Sequence, residues 1–155
     1  MAELKIGKPG DRLQALGLGS CIGLVLVDKK THLGGMVHIM LPHSSVSRDK
    51  NPTLAKFADT GVPLLLDEVL KAGAMRSRLI VKLAGGAEMF SFAGQNAPKL
   101  AVGARNAEAV REHLKELNLR IDREDCGGTH GRTLEVNLET LRFTVKVVGH
   151  GETEL

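Results

Sequence analysis

The stretch Ile22-Gly23-Leu24-Val25-Leu26-Val27-Asp28-Lys29-Lys30-Thr31-His32-Leu33-Gly34-Gly35-Met36-Val37-His38-Ile39-Met40-Leu41 decides how the chain is read. Ile22 to Val27 is a nearly continuous apolar run with β-branched members, five polar residues break it, and Gly35 to Leu41 resumes it. A strand buried on both faces loses the usual polar alternation, so two such runs around a polar turn predict a β-hairpin of buried strands. With the turn centred near Lys30, paired residues have numbers summing to about 60, and Cys21 then faces the region of His38 and Ile39. Alternation sets Met36, His38 and Met40 on one face of the second strand and Val37, Ile39 and Leu41 on the other.

Outward from the hairpin, Val62 to Ala72 places Val62, Leu65, Leu66, Val69 and Leu70 on one helical stripe, opened by Asp59-Thr60-Gly61 and closed by Gly73. Leu79 to Ala84 reads as a short strand. Asn106 to Leu117 reads as a second helix with Asn106 as its N-cap, since a short polar side chain there accepts from an orphan N–H of the first turn. Leu134 to Leu138 and Phe143 to Val147 alternate apolar and polar around Glu139-Thr140, predicting a closing hairpin. Strand, hairpin, helix, strand, helix, strand, hairpin is not the regular alternation of a parallel doubly wound sheet. The expected fold class is α+β, with two main helices covering mixed, mostly antiparallel β-sheets.

The chain has 155 residues, 43% of them hydrophobic and 25% charged, enough for one compact domain over residues 1–155 and unlike a disordered tail. Its longest apolar stretches fall far short of the roughly 20 residues that cross a bilayer, so no membrane insertion is expected. The N-terminus lacks the apolar core and small-residue cleavage site of a secretory signal, so a cytoplasmic location is expected. With 21 basic against 18 acidic residues, no Trp and no Tyr, neither a strong basic field nor stacking platforms point to nucleic acid.

Eighteen glycines cluster at corners. Gly17-Leu18-Gly19-Ser20-Cys21-Ile22-Gly23 lacks the Gly-Lys-Ser/Thr ending of a phosphate loop and the third glycine of a dinucleotide fingerprint. What remains is a thiol between glycines on a tight bend, a setting that exposes a nucleophile, with His38 across the hairpin as its partner. Cys126, with Cys21 and His38, could make up a metal set, but no close Cys-x-x-Cys or His-x₃-His pair nucleates one, so no metal is expected. Met36, Met40, Met75 and Met89 are expected as core filler, Phe90 and Phe92 as core packing, and Asp122, Glu124 and Asp125 as a solvated strand end.

Six ordered blocks carry a likeness: Leu16-Gly17-Leu18-Gly19-Ser20-Cys21, Gly35 to Pro42, Phe57-Ala58-Asp59-Thr60, Lys82 to Phe90, Gly103-Ala104-Arg105-Asn106, and Gly127-Gly128-Thr129-His130-Gly131-Arg132. Together they resemble the chemoreceptor glutamine deamidases of chemotaxis, the CheD family. The resemblance implies hydrolysis of glutamine side chains on methyl-accepting chemoreceptors without cofactor or metal. It also implies a fold akin to the CNF-like toxin deamidases and a partner among the CheC-family phosphatases. It puts the nucleophile on Cys21 and the general base on His38. The family usually carries Thr where this chain has Ala15. An alanine cannot hydrogen-bond an imidazole, so Gln14 and Ser20 are candidate substitutes, with Gly19 supporting the bend. The same departure leaves open a binding module with weak or lost catalysis that docks a CheC-family phosphatase or receptor helices.

Overall fold

The computed structural model describes residues 3–89 and 101–155. In chain order the elements are β1 (Leu4–Gly7), β2 (Arg12–Leu18), β3 (Ile22–Asp28), β4 (Gly34–Ile39), α1 (Ala58–Lys71), β5 (Leu79–Gly85), α2 (Val102–Glu116), β6 (Arg123–Cys126), β7 (Arg132–Asn137), β8 (Arg142–Val147) and β9 (Gly151–Glu154). One sheet has the order β1-β4-β3-β5-β6 and the other β2-β7-β8-β9. All strand pairs are antiparallel except β5 with β6. The fold is therefore α+β with two helices on mixed, mostly antiparallel sheets, as expected.

Every residue of β3 and β4 is buried, which is why their sequences are apolar without alternation. Leu24, Leu26, Val37 and Ile39 face one way, into a core shared with Val62, Leu65 and Val69 of α1 and Val110 and Leu114 of α2. Val25, Val27 and Met36 face the other way, into a core shared with Leu13 and Leu18 of β2 and Leu134, Val136, Phe143 and Val145 of the second sheet. The five-stranded sheet is thus the middle layer, with helices on one face and the smaller sheet on the other.

Several element boundaries differ from expectation. Helix α1 begins at Ala58, four residues before Val62. Asp59 does not open it; its carboxylate instead accepts from the Ser44 backbone N–H at 2.9 Å and the Ser44 hydroxyl at 2.8 Å, tying the segment after β4 to the helix. Helix α2 begins at Val102, with Ala101 as its N-cap, so Asn106 lies inside the helix, fully buried. Glu88 serves the α2 N-terminus instead, accepting from the Ala104 N–H at 3.1 Å. Met36 is core, but Met75 and Met89 are about half exposed, at 54% and 49%. Asp122, Glu124 and Asp125 are not merely solvated. Asp122 accepts from the Val81 N–H at 2.8 Å, Glu124 pairs with Arg111 and Asp125 with Arg132. Phe90 and Phe92 lie outside the described residues.

The turn between β3 and β4 is held from within by Asp28, which has no exposed surface. Its carboxylate accepts from the N–H groups of Lys30, Thr31 and Met75 and from the Arg78 guanidinium, whose closest contact is 2.6 Å. Burial alone would raise this carboxyl, but the Arg78 and backbone donors outweigh it and hold the group well below the usual carboxylate range. A depressed carboxyl contributes stability that is fully present above its unfolded pKa of about 3.9 and is lost as pH falls through its folded value. Asp28→Ala, which strands Arg78 and three backbone donors, is expected to cost about 3–5 kcal/mol in denaturant unfolding at pH 7. Asp28→Asn should flatten the decline of stability below about pH 4 that the natural protein shows.

Candidate active site

The β3–β4 ladder ends with the pair Ile22↔Ile39, preceded by Gly23↔His38. The register sum is one greater than the sequence predicted, so His38 stands opposite Gly23, two positions along from Cys21. The faces agree with the expected alternation. Met36 lies on the face toward the smaller sheet, His38 shares its parity, and Cys21 packs against that same core. On the β3 side of His38 there is no cross-strand side chain, because Gly23 is the partner; on the β1 side Glu3 O accepts from the His38 N–H at 3.0 Å. A Cβ at Gly23 would stand 3.0 Å from both Ala15 Cβ and Leu18 Cδ1. Ala15 itself is buried, on a strand whose register with β7 shifts between Ala15 and Leu18. That irregularity, with Gly17 at φ +63°, turns the chain from β2 into the Gly19–Cys21 bend.

The bend is gripped through its carbonyls. Gly19 O accepts from Ala87 N at 2.8 Å, Ser20 O from Asn106 Nδ2 at 2.9 Å, and Cys21 O from Gly86 N at 2.9 Å. The N–H groups of Ser20 and Cys21 have no acceptor among the described residues. The Gly85-Gly86 block exists for this approach. A Cβ at Gly85, whose φ is +123°, would stand 2.1 Å from Cys21 O, and one at Gly103 would stand 2.4 Å from Gly86 O. Gly127 N donates to Gly85 O at 2.9 Å and Glu88 N to Gly128 O at 2.9 Å, which brings the Gly127–Arg132 loop alongside. Arg132, 6% exposed, braces that loop by donating to the Asp125 carboxylate and to the carbonyls of Asp125, Gly127 and His130.

Electrostatically the two candidate groups are kept neutral. Burial pushes the Cys21 thiol above its ordinary value and the His38 imidazole below its own, since each charged form loses hydration. Nε2 of His38 is buried without a hydrogen-bond partner, and no hydrogen bond joins thiol to imidazole among the described residues. A cleft of about 360 Å³ opens at His38, walled by Glu3 and Lys5, by Gln14 to Leu16 and by Met36. Cys21 is partly exposed but is not part of that wall. Gln14 donates its amide to Glu135 on β7. Ser20 contributes its carbonyl to Asn106.

Cys126 does not join them. It packs into the helix-facing core, on the opposite face of the middle sheet from Cys21, and burial pushes its thiol up to about 12. Among the described residues no group of three or more His, Cys, Asp or Glu is placed to hold a metal ion. No helix among them is long and apolar enough to cross a membrane. The residues whose place at the site the sequence did not show are Asn106, read there only as a helix cap, Arg132 and the Gly85-Gly86 pair. Each lies in one of the six blocks, but only the tertiary contacts show what it touches.

A family model described as CheD chemotactic sensory transduction matches residues 40–147. Curated relatives extend the likeness over the whole chain. A probable chemoreceptor glutamine deamidase CheD of Symbiobacterium thermophilum is 49% identical, covering 100% of this chain and 94% of that protein. The chemoreceptor glutamine deamidase CheD of Halalkalibacterium halodurans is 45% identical, covering 100% and 95%, and that of Bacillus velezensis is 41% identical, covering 100% and 93%. A matched family model over most of the chain and identities of 41% to 49% along its full length show that the chain belongs to the CheD family.

Proposed function

We propose that the protein hydrolyses glutamine side chains of methyl-accepting chemoreceptors to glutamate, with Cys21 as nucleophile and His38 as general base and acid. The observation that carries the reading is the register. Gly23 opposite His38 leaves the imidazole without a side chain on the β3 side, on the face that Cys21 occupies two positions away. The names of the relatives supply the substrate class. Residues 1–155 then form a single deamidase domain of the CNF-like toxin-deamidase kind. It would work in the cytoplasm, where receptor tails and a CheC-family phosphatase are met.

At neutral pH both groups are uncharged in the free protein, so the thiol proton is present and the imidazole is free to take it. Contacts between nucleophile and base are often loose without substrate and close as it binds. As the sulfur attacks the carboxamide carbon, the proton passes to His38 and the carbonyl π pair moves to oxygen. The N–H groups of Ser20 and Cys21, uncommitted while the neighbouring carbonyls are held, would meet that oxyanion. His38 returns the proton to nitrogen, the C–N bond breaks and ammonia leaves a thioester. Water, deprotonated by His38, then releases glutamate and the thiol. No step needs a metal or organic cofactor.

Ala15 supports a second reading, a binding module that docks a CheC-family phosphatase or receptor helices with little catalysis. Ala15 lines the cleft beside His38 and offers the ring no hydrogen bond. Incubation with receptor fragments should yield the mass increase of NH₂ replaced by OH at particular glutamines. Cys21→Ala should abolish it, and His38→Ala should lower kcat by about 10²- to 10⁴-fold. No increase with the natural protein, alongside intact phosphatase binding, would favour the binding module. Ala15→Thr, by giving the imidazole an orienting hydroxyl, should raise kcat; an unchanged kcat would show that His38 is oriented by other means. Because burial holds His38 below the ordinary imidazole value of about 6.5, the acid limb of the rate profile should lie below that pH. A limb at or above it would contradict a buried neutral base.

A further inference from the structure

Where the β3–β4 ladder stops, a side chain takes over. Beyond Ile22↔Ile39 the next rung would join Cys21 to Met40, but Met40 N has already turned to Lys56 O at 2.8 Å. Asn106, with no exposed surface, reaches from the second turn of α2 and donates from Nδ2 to Ser20 O at 2.9 Å and to Met40 O at 2.8 Å. Two carbonyl acceptors can be served only by the NH₂ end of the amide, so its orientation is fixed by chemistry. Its Oδ1 is buried with no partner among the described residues. An apolar residue of similar size would leave both carbonyls without their donor, so the amide ties the bend to the strand end rather than merely filling the core.

A trans peptide holds its C=O and N–H in one plane, pointing in opposite directions. Gripping Ser20 O therefore aims the N–H of Cys21 away from α2. We propose that Asn106 is a positioning residue that sets the plane of the Ser20–Cys21 peptide, and with it the aim of the Cys21 N–H at a developing oxyanion. The proposal rests on the thiol-hydrolase reading above and adds a residue to it. The second bond, to Met40 O, fixes the nucleophile's bend relative to the strand that carries His38. Asn106→Asp would keep the shape but turn oxygen toward two carbonyl oxygens, so it is expected to fail as Asn106→Ala does.

The test separates oxyanion binding from folding and from substrate choice. Butanal adds reversibly to a thiol: the S–C bond forms, the carbonyl π pair moves to oxygen, and the thiol proton ends on that oxygen. Iodoacetamide alkylates the same sulfur without creating an oxyanion. In the natural protein, butanal should protect Cys21 from iodoacetamide. In Asn106→Ala and Asn106→Asp the butanal concentration for half protection should rise at least about tenfold, while alkylation without butanal stays within about twofold. Val110→Ala, at a fully buried position one turn along α2, serves as the packing control and should leave half protection unchanged. Deamidation of receptor fragments by the Asn106 variants should lose kcat with KM retained. Equal protection in all proteins, the same loss in Val110→Ala, or failure of both Asn106 variants to fold would overturn the proposal. A natural protein that captures butanal through Asn106 but deamidates no receptor would instead sink the substrate reading and leave Asn106 in its role.

Discussion

Four backbones meet at the thiol without a side chain between them. Gly85 and Gly86 lie against Cys21, Gly103 lies against Gly86, and Gly127 reaches Gly85, through contacts that leave no space for a Cβ at Gly85 or Gly103. Backbone groups packed this closely must pair, because an orphaned buried amide is costly. They do so in a way that commits the carbonyls of Gly19, Ser20 and Cys21 to neighbours on one side. Gly85, Gly86 and Gly103 are therefore explained by one constraint, which also fixes the backbone on which Cys21 sits.

That constraint would be idle without the doubly buried ribbon behind it. β3 and β4 contribute side chains to both cores, so their register cannot slip without moving apolar residues out of both at once. Asp28 pins the far end of the ribbon and Asn106 the near end, each through a buried polar group bonded to backbone. Cys21 and His38 sit where the ladder gives out, the one just beyond its last pair and the other one pair inside it.

The charges follow the same economy. The acidic residues around β6 face cations across short gaps, Glu124 to Arg111 and Asp125 to Arg132, and so brace the loop that flanks the diglycine. Among the described residues no ion pair reaches the thiol or the imidazole, and burial disfavours the charged form of each. A neutral pair suits the proposed passage of a proton from sulfur to nitrogen and back, whereas a resting ion pair would be stabilised before substrate arrived.

Much of this was determined by the sequence alone, where the physics is local. An unbroken apolar run needs burial on both faces, a helical stripe needs one apolar neighbour, and alternation divides a strand's faces; the hairpin, both helices, the closing hairpin and the shared side of Met36 and His38 follow from these. The six blocks likewise marked the family through residues close in sequence. Tertiary structure decided the rest, because it depends on segments far apart in the chain. The turn ahead of the pairing at Gly23 is held by Asp28 together with Arg78, 50 residues distant. Asn106 looked like a helix cap because short polar residues favour that place, yet its partners are 86 and 66 residues away. A local pattern records what a residue tends to do beside its neighbours; which carbonyls stand waiting for its amide is known only once the chain has folded around it.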